Sequence, residues 1–345
     1  MKDVAERARV SVSTVSHVLN GTRKVSEGTR GEVLAAVEEL SYRPNLLAKG
    51  LKTRRTYTIG LLIPDIQNAF FTSLVRGVED EALSRGYHLF LCNTDEDPGR
   101  EDEYITELAK KRVDGLMVAP SARREGRVRR LRDEGVPFVF VDRDVEGLDA
   151  DVVGVDNRLG MRLIAEHLVG LGHQRIGMIS GPLDKASGFE RYEGLRDALA
   201  DLGVGLEASL VRFGDFRTAG GREGAGELLG LPSPPTALVT ANNQMTLGAL
   251  LTVNEMGLEV PGDLSVVGFD DPEWAPLTGP PLTTLAQPTY EMGVRAARML
   301  LDRIEDGPDE RSSRKVLLEP WLVVRGSTAR AGGGPRGACY DGGLR

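Results

Sequence analysis

Seven short apolar runs punctuate the chain from Tyr57 to Phe269: YTIGLLIP, HLFLCNT, GLMVAP, FVFVD, RIGMISGP, TALVT and LSVVGF. Between them lie segments of helical spacing, among them 69–85, 99–111, 157–171, 187–202 and 242–256. A strand that is apolar throughout is covered on both faces, and its parallel neighbour is reached by a crossover that a helix supplies. The pattern therefore predicts an α/β body built on parallel sheets. It continues for about 270 residues, more than one open sheet of ordinary size holds, so two doubly wound subdomains are expected. In such sheets ligands bind beyond the carboxyl ends of the strands. Those ends carry Asp65, Asp142 with Arg143, Asn242 and Asp270, and Arg191 opens the helix after ISGP.

The first 56 residues follow a different rule. The whole chain of 345 residues has a net charge of −8, but residues 1–56 hold eleven Lys or Arg against six acids, a balance of +5 that leaves −13 for the rest. A small basic head on an acidic body is the distribution expected when only the head meets phosphates. KDVAERA reads as a short helix with one apolar edge, and Ser11 can cap a second in which Val15, Val18 and Leu19 face inward. The opposite face of that second helix carries Ser13, Ser16, His17 and Asn20 at i, i+3, i+4 and i+7. A third helix starts after Ser26, with Val33, Ala36, Val37 and Leu40 at helical spacing, and is expected to stop at Pro44. This is helix-turn-helix organisation, whose second helix enters the major groove. A plain three-helix bundle would more often clothe its outer face with Lys and Glu; Ser, Thr, Asn and His reach phosphates and base edges.

Past Pro44, Asn45 can cap a helix bearing Leu46, Leu47, Ala48 and Leu51, with Lys52, Arg54 and Arg55 close behind. At about eight residues, and with Gly50 inside it, such a helix is too short to hold alone and should order only against a partner. An exposed leucine flanked by cations fits a wedge pushed between base steps in the minor groove; a plain linker is the alternative.

Other classes find little support. No eighteen-residue apolar run and no export signal occur, so a cytoplasmic protein with no membrane partner is expected. Cys92 and Cys339 form neither a disulfide framework nor a metal motif. GREGAGELLG lacks the setting of a dinucleotide-binding loop and reads as a glycine-rich helix start. His17, His88, His167 and His173 are scattered, and DEDPGRED lacks the spacing of a calcium loop and reads as a solvated one. Neither an enzyme nor a cofactor or metal protein is indicated. The main rival is a solute-binding protein or a sugar-modifying enzyme on the same body fold, against which the basic head argues.

Taken with KDVAERA, SVSTVSHVLNG, VSEGTR, YRPN, IGLLIPDIQNAFF, CNTDEDP, ERYEGLRDAL, NNQMTLGAL, VVGFDDPEWA, PPLTTLAQP and LVVRGST, the chain resembles the lactose-repressor (LacI/GalR) family of bacterial transcription regulators as far as about Thr328. The resemblance implies a helix-turn-helix head at 1–44 and a hinge at 45–56. It further implies a periplasmic-binding-protein-like body, with one subdomain from 57–156 plus 288–316 and the other from 157–287 plus 317–327. Residues 328–345, with six glycines and no heptad pattern, are expected to be a disordered tail. By the same resemblance Val12, Ser13 and His17 face bases, Thr14, Ser16, Asn20 and Thr29 contact the DNA backbone, and Asn45, Ala48, Leu51 and Lys52 complete the DNA-binding set at the hinge. Asp65, Phe71, Ser187, Arg191, Phe216, Asn242 and Asp270 match effector-binding places, to which Asp142 and Arg143 are added from the strand ends. Carboxylates, an amide and an arginine beside aromatic faces suit a polyhydroxylated ring, so a sugar is expected first, a sugar acid second and a nucleobase third. A homodimer on a pseudo-palindromic double-stranded operator is implied.

Three departures from the family pattern stand out. His17 replaces the usual Arg and presents one donor where a guanidinium presents a fork. Arg9 occupies a turn position where Gly or Asn is usual, and Asn243 replaces a common Asp. The chain also opens directly on MKDV, without the residues that usually precede this helix, which predicts a frayed first helix or a start further upstream.

Overall fold

The computed structural model describes residues 1–20, 23–42, 55–123, 131–132, 135–306 and 312–332, the side chain of Asn20 excepted. The chain divides into two compact units, 1–56 and 57–345.

In the first unit, α1 (Lys2–Arg7), α2 (Val12–Asn20) and α3 (Glu27–Glu39) close on Val4, Ala5, Ala8, Val15, Val33 and Ala36. Ser11 Oγ accepts the Thr14 amide at 3.1 Å and Ser26 Oγ that of Thr29 at 3.3 Å, so both helix starts are capped as their sequences predict. The end of α3 differs from expectation. It stops at Glu39, before Pro44, because Ser41 turns left-handed at φ 45° and the Tyr42 amide bonds back to the Val37 carbonyl. Leu40, expected in the core, is thereby left exposed. The turn between α1 and α2 holds Arg9 at φ 51°, a conformation costing a residue with a Cβ roughly 1 kcal/mol. Arg9→Gly should therefore stabilise the head by up to about 1 kcal/mol, seen as a rise of several degrees in the head transition by calorimetry; an unchanged or lower transition counts against it.

The second unit contains two six-stranded sheets. In the first sheet the order is β11-β5-β4-β3-β1-β2, with β1 (Thr58–Ile63), β2 (His88–Asn93), β3 (Gly115–Val118), β4 (Phe138–Val141), β5 (Asp151–Val155) and β11 (Lys315–Leu318) all parallel. The second repeats that order as β12-β10-β9-β8-β6-β7, from β6 (Ile176–Ser180), β7 (Val211–Phe213), β8 (Ala237–Thr240), β9 (Ser265–Phe269), β10 (Thr283–Ala286) and β12 (Trp321–Val323). Its strands are parallel except β12, which is antiparallel to β10 at the edge. The seven strands read from sequence are present. Those missed are β5, whose Asp151 and Gly154 interrupt the apolar run, and short or late segments such as β7 and β12.

Helices α4 (Ala69–Ser84), α5 (Pro98–Lys110) and α10 (Thr289–Asp306) cover the first sheet, while α6 (Asn157–Gly170), α7 (Ala186–Asp201), α8 (Thr218–Leu229) and α9 (Asn243–Glu255) cover the second. The glycine-rich run GREGAGELLG lies within and just past α8. A Cβ on Gly221 would sit 2.2 Å from the Met245 carbonyl oxygen of α9, so the glycine is what lets the two helix backbones touch. Among the described residues no helix is long and apolar enough to cross a membrane.

Residues 328–332, expected in a disordered tail, are instead tied to the second sheet. The Ala329 amide donates to Ser265 Oγ and that of Ala331 to the Leu171 carbonyl. His167 and His173, whose six-residue spacing would put them on different faces of one helix, meet this same segment: His167 Nε2 lies 2.9 Å from Thr328 Oγ1 and His173 Nε2 3.0 Å from the Ala329 carbonyl. The reason is that α6 ends at Gly170, so His173 stands beyond the helix and helical spacing does not apply.

Candidate functional site

Both sheets end their central strands at one cleft, whose empty space is about 500 Å³ when its open mouth is counted. All nine effector residues expected from sequence line it: Asp65, Phe71 and the Asp142-Arg143 pair from the first sheet's side, and Ser187, Arg191, Phe216, Asn242 and Asp270 from the second. Asp142, Phe216 and Asp270 sit at φ 67°, 63° and 75°, so several of these side chains are turned inward by left-handed backbone at a strand end or loop. Phe216 is further seated on Gly181, where a Cβ would lie 2.0 Å from the ring.

The polar groups are densely connected. Arg191 Nε donates to Asn157 Oδ1 at 2.8 Å and Nη1 to the Ala241 carbonyl at 2.6 Å, while its guanidinium carbon lies 3.7 Å from the centre of the Phe269 ring. Arg143 Nη1 donates to Glu96 Oε2 at 2.7 Å, and its Nε lies 3.1 Å from Ser187 Oγ and 3.2 Å from Asp142 Oδ2. Asn242 caps α9, accepting the Met245 amide and donating to the Phe216 carbonyl. Asp270 accepts from the Asn243 amide and from Gln287 Nε2. Burial pushes the carboxyls of Asp142 and Asp270 above the ordinary range, against the pull of Arg143 and Arg191 on the first and of Arg191 on the second. Asp142 Oδ1 is buried with no hydrogen-bond partner among the described residues. An orphaned acceptor of that kind, beside aromatic faces, is suited to a ligand hydroxyl.

In the head, Val12 and Ser13 are exposed while Thr14, Ser16, His17 and Thr29 are half-buried. Thr14 and Thr29 share their hydroxyls with the capping Ser11 and Ser26 at 2.8 Å, which fixes them at the two helix starts. Of the expected DNA contacts, Asn45, Ala48, Leu51 and Lys52 lie outside the described residues, as does the side chain of Asn20.

Comparison with known proteins finds that residues 1–45 match the model of bacterial regulatory proteins of the lacI family and residues 165–328 that of a periplasmic binding protein-like domain. The ribose operon repressor of Escherichia coli (strain K12) is 40% identical over 328 residues, covering 95% of this chain and 99% of its own. The chain belongs to the lacI family of bacterial regulatory proteins. As a lacI-family member it is a DNA-binding transcriptional regulator under effector control and not an enzyme. Among solved structures, the lac repressor dimer bound to operator and the anti-inducer ONPF is 31% identical, with a TM-score of 0.84 over 95% of this chain and 98% of that one. A lacI-family regulator from Enterococcus faecium with bound ribose is 32% identical, with a TM-score of 0.70 over 79% of this chain and 99% of that one.

The lacI-family cleft contains residues that the sequence reading did not single out. Asn68 stands one turn before Phe71 and Phe70 directly before it, the Phe70 ring meeting that of Phe71 edge-on at 4.9 Å. Asn243 donates to Asn68 Oδ1 at 2.8 Å across the cleft, so the amide that replaces the family's common carboxylate links the two subdomains. Glu96 is a correction. DEDPGRED was expected to be a solvated loop, yet Glu96 lines the cleft, Glu101 is 4% exposed and accepts the Ser121 amide, and Asp97 caps α5. Arg143 and Lys185, distant in sequence, make burial of the Glu96 carboxylate possible.

Proposed function

We propose that this lacI-family regulator is a cytoplasmic homodimeric repressor that binds a pseudo-palindromic operator and takes a sugar between its two body subdomains. Residues 1–44 form the reading head and 45–56 the hinge. The body subdomains are 57–156 with 288–316, and 157–287 with 317–327. Val12, Ser13 and His17 read bases; Thr14, Ser16, Asn20 and Thr29 hold the backbone, and Asn45, Ala48, Leu51 and Lys52 serve the hinge. Two copies present two heads, which is why two-fold related half-sites are expected.

The observation that carries the sugar reading is the cleft's composition: Asp142, Asn242, Asp270 and Arg191 line the same cleft as the rings of Phe71 and Phe216. Hydroxyls pair with the polar groups while apolar C–H faces lie on the rings. The names of the ribose operon repressor and of the ribose-bound regulator agree with this chemistry. A ligand that touches both subdomains favours the closed cleft over an open one, and that preference is what it can transmit to the heads. A coupling of about 1 to 3 kcal/mol changes operator affinity roughly 5- to 150-fold. Fluorescence anisotropy with operator DNA and increasing D-ribose, then other pentoses and hexoses, should show a change of that size for at least one of them. Operator affinity indifferent to the whole panel overturns the reading.

A second measurement concerns His17. Operators selected in vitro by wild type and by His17→Arg should differ at the base facing position 17, with a preference of about 1 to 3 kcal/mol for guanine gained by the arginine. Identical selected sites would reduce the imidazole to a spacer.

A further inference from the structure

The turn that follows β2 has an unusual backbone. Asp95 and Glu96 are consecutive non-glycine residues at φ 55° and 61°, a conformation retained only where the surroundings hold it in place. Its result is to send the Glu96 side chain inward, to 18% exposure, with Oε2 2.7 Å from Arg143 Nη1 and 3.7 Å from Lys185 Nζ. Arg143 follows β4 of the first subdomain, whereas Lys185 stands just before α7 in the second. One carboxylate thus matches a cation of the pocket wall and a cation from across the cleft. Lys185 Nζ also donates to the Ser121 carbonyl of the first subdomain. Burial works to raise the Glu96 carboxyl, but the charge and hydrogen bond of Arg143, followed by Lys185 and Arg217, outweigh it and hold the group below its ordinary range. Glu96 is therefore ionised at neutral pH.

The other pocket cations are matched as well. Arg191 donates to Asn157 and the Ala241 carbonyl and has the charges of Asp270 and Asp142 near it, and Arg217 lies 4.0 Å from Asp65. Among the described residues five carboxylates and three guanidinium groups line the cleft. A phosphate or carboxylate on the ligand would have to displace Glu96 from Arg143 and then remain beside it. We propose that Glu96 is a built-in counter-ion that fills the anion-binding capacity of the cleft, so that the effector is an uncharged sugar and its phosphate esters and acids are rejected. This rests on the sugar reading above and adds the residue that decides ligand charge.

Calorimetric titration of the full chain with a panel of neutral sugars, D-ribose first, and with the phosphate ester and the aldonate of each, tests it. In wild type the neutral sugar should bind at least about tenfold more tightly than its charged forms. Glu96→Gln, of nearly the same shape but uncharged, should move the ester-to-sugar affinity ratio toward the ester by about tenfold or more. Glu96→Ala should in addition gain thermal stability from inorganic phosphate, which wild type should not. An ester bound by wild type as tightly as the sugar overturns the proposal and leaves the sugar reading standing. A ratio unmoved in Glu96→Gln also overturns it, because shape alone then excludes the ester. Should Glu96→Gln fail to fold, the wild-type comparison and the phosphate response of Glu96→Ala still decide. Failure of wild type to bind any sugar or ester removes the sugar reading itself, and this proposal with it.

Discussion

A chain lacking residues 1–56 loses operator binding and keeps its sugar. The head closes on its own small core, and residues 1–56 and 57–345 are two compact units. Charge points the same way: removing a head of +5 leaves a body of −13, which repels the phosphates that supply non-specific affinity. The loss in operator affinity should therefore be at least about 10³-fold, the smallest usual gap between specific and non-specific binding. Anisotropy on labelled operator reads the first effect, and calorimetric titration with the sugar reads the second. In the intact protein log affinity should fall with log salt by about 0.9 for each phosphate neutralised. Operator binding that survives in residues 57–345 would contradict the assignment of the head.

Arg191→Ala should abolish sugar binding and weaken the body. Arg191 is 4% exposed, yet it donates to Asn157 Oδ1 and the Ala241 carbonyl and interacts electrostatically with both Asp142 and Asp270. Truncation leaves those two acceptors without this donor and two buried carboxyls without a cation whose charge opposes the upward push of burial. Breaking a buried ionic network by removing one partner costs about 3 to 5 kcal/mol, and a comparable loss is expected in denaturant unfolding of the body. Sugar affinity should fall by more than about 100-fold, because the cleft loses a cation and the alignment of Asn157 and Asp270 together. Arg191→Lys keeps the charge but not the planar fork, so it should recover part of the stability and little of the affinity. Wild-type sugar affinity in Arg191→Ala would exclude the guanidinium from the site.

Much of this molecule was readable in its sequence because the signals are local. A strand covered on both faces is apolar throughout, and the residue after it emerges at the sheet's carboxyl edge. Asp65, Asp142, Asn242 and Asp270 could be placed at one rim for that reason alone, and all four line the cleft. Ser11 and Ser26 announced their helices because a cap is a contact over three residues. Arg9 was legible as a strained turn, and its φ of 51° bears that out.

What escaped the sequence was set by partners far along the chain. The stop of α3 lay in Ser41, whose left-handed turn leaves Leu40 exposed, and no glycine marked it. The acids of DEDPGRED looked like solvated charge, since within ten residues of Glu96 the only Lys or Arg is Arg100. Glu96 finds them 47 and 89 positions later, at Arg143 and Lys185, once two subdomains face each other. The sequence by itself determined the strands, the capped helices, the basic head and the rim on which most of the polar ligand groups stand, because each depends on periodicity, on charge or on contacts a few residues long. Only the tertiary structure decided which charges are buried and by what they are balanced, because the free energy of a buried ion depends on the groups brought within a few ångströms of it and not on its neighbours in the chain.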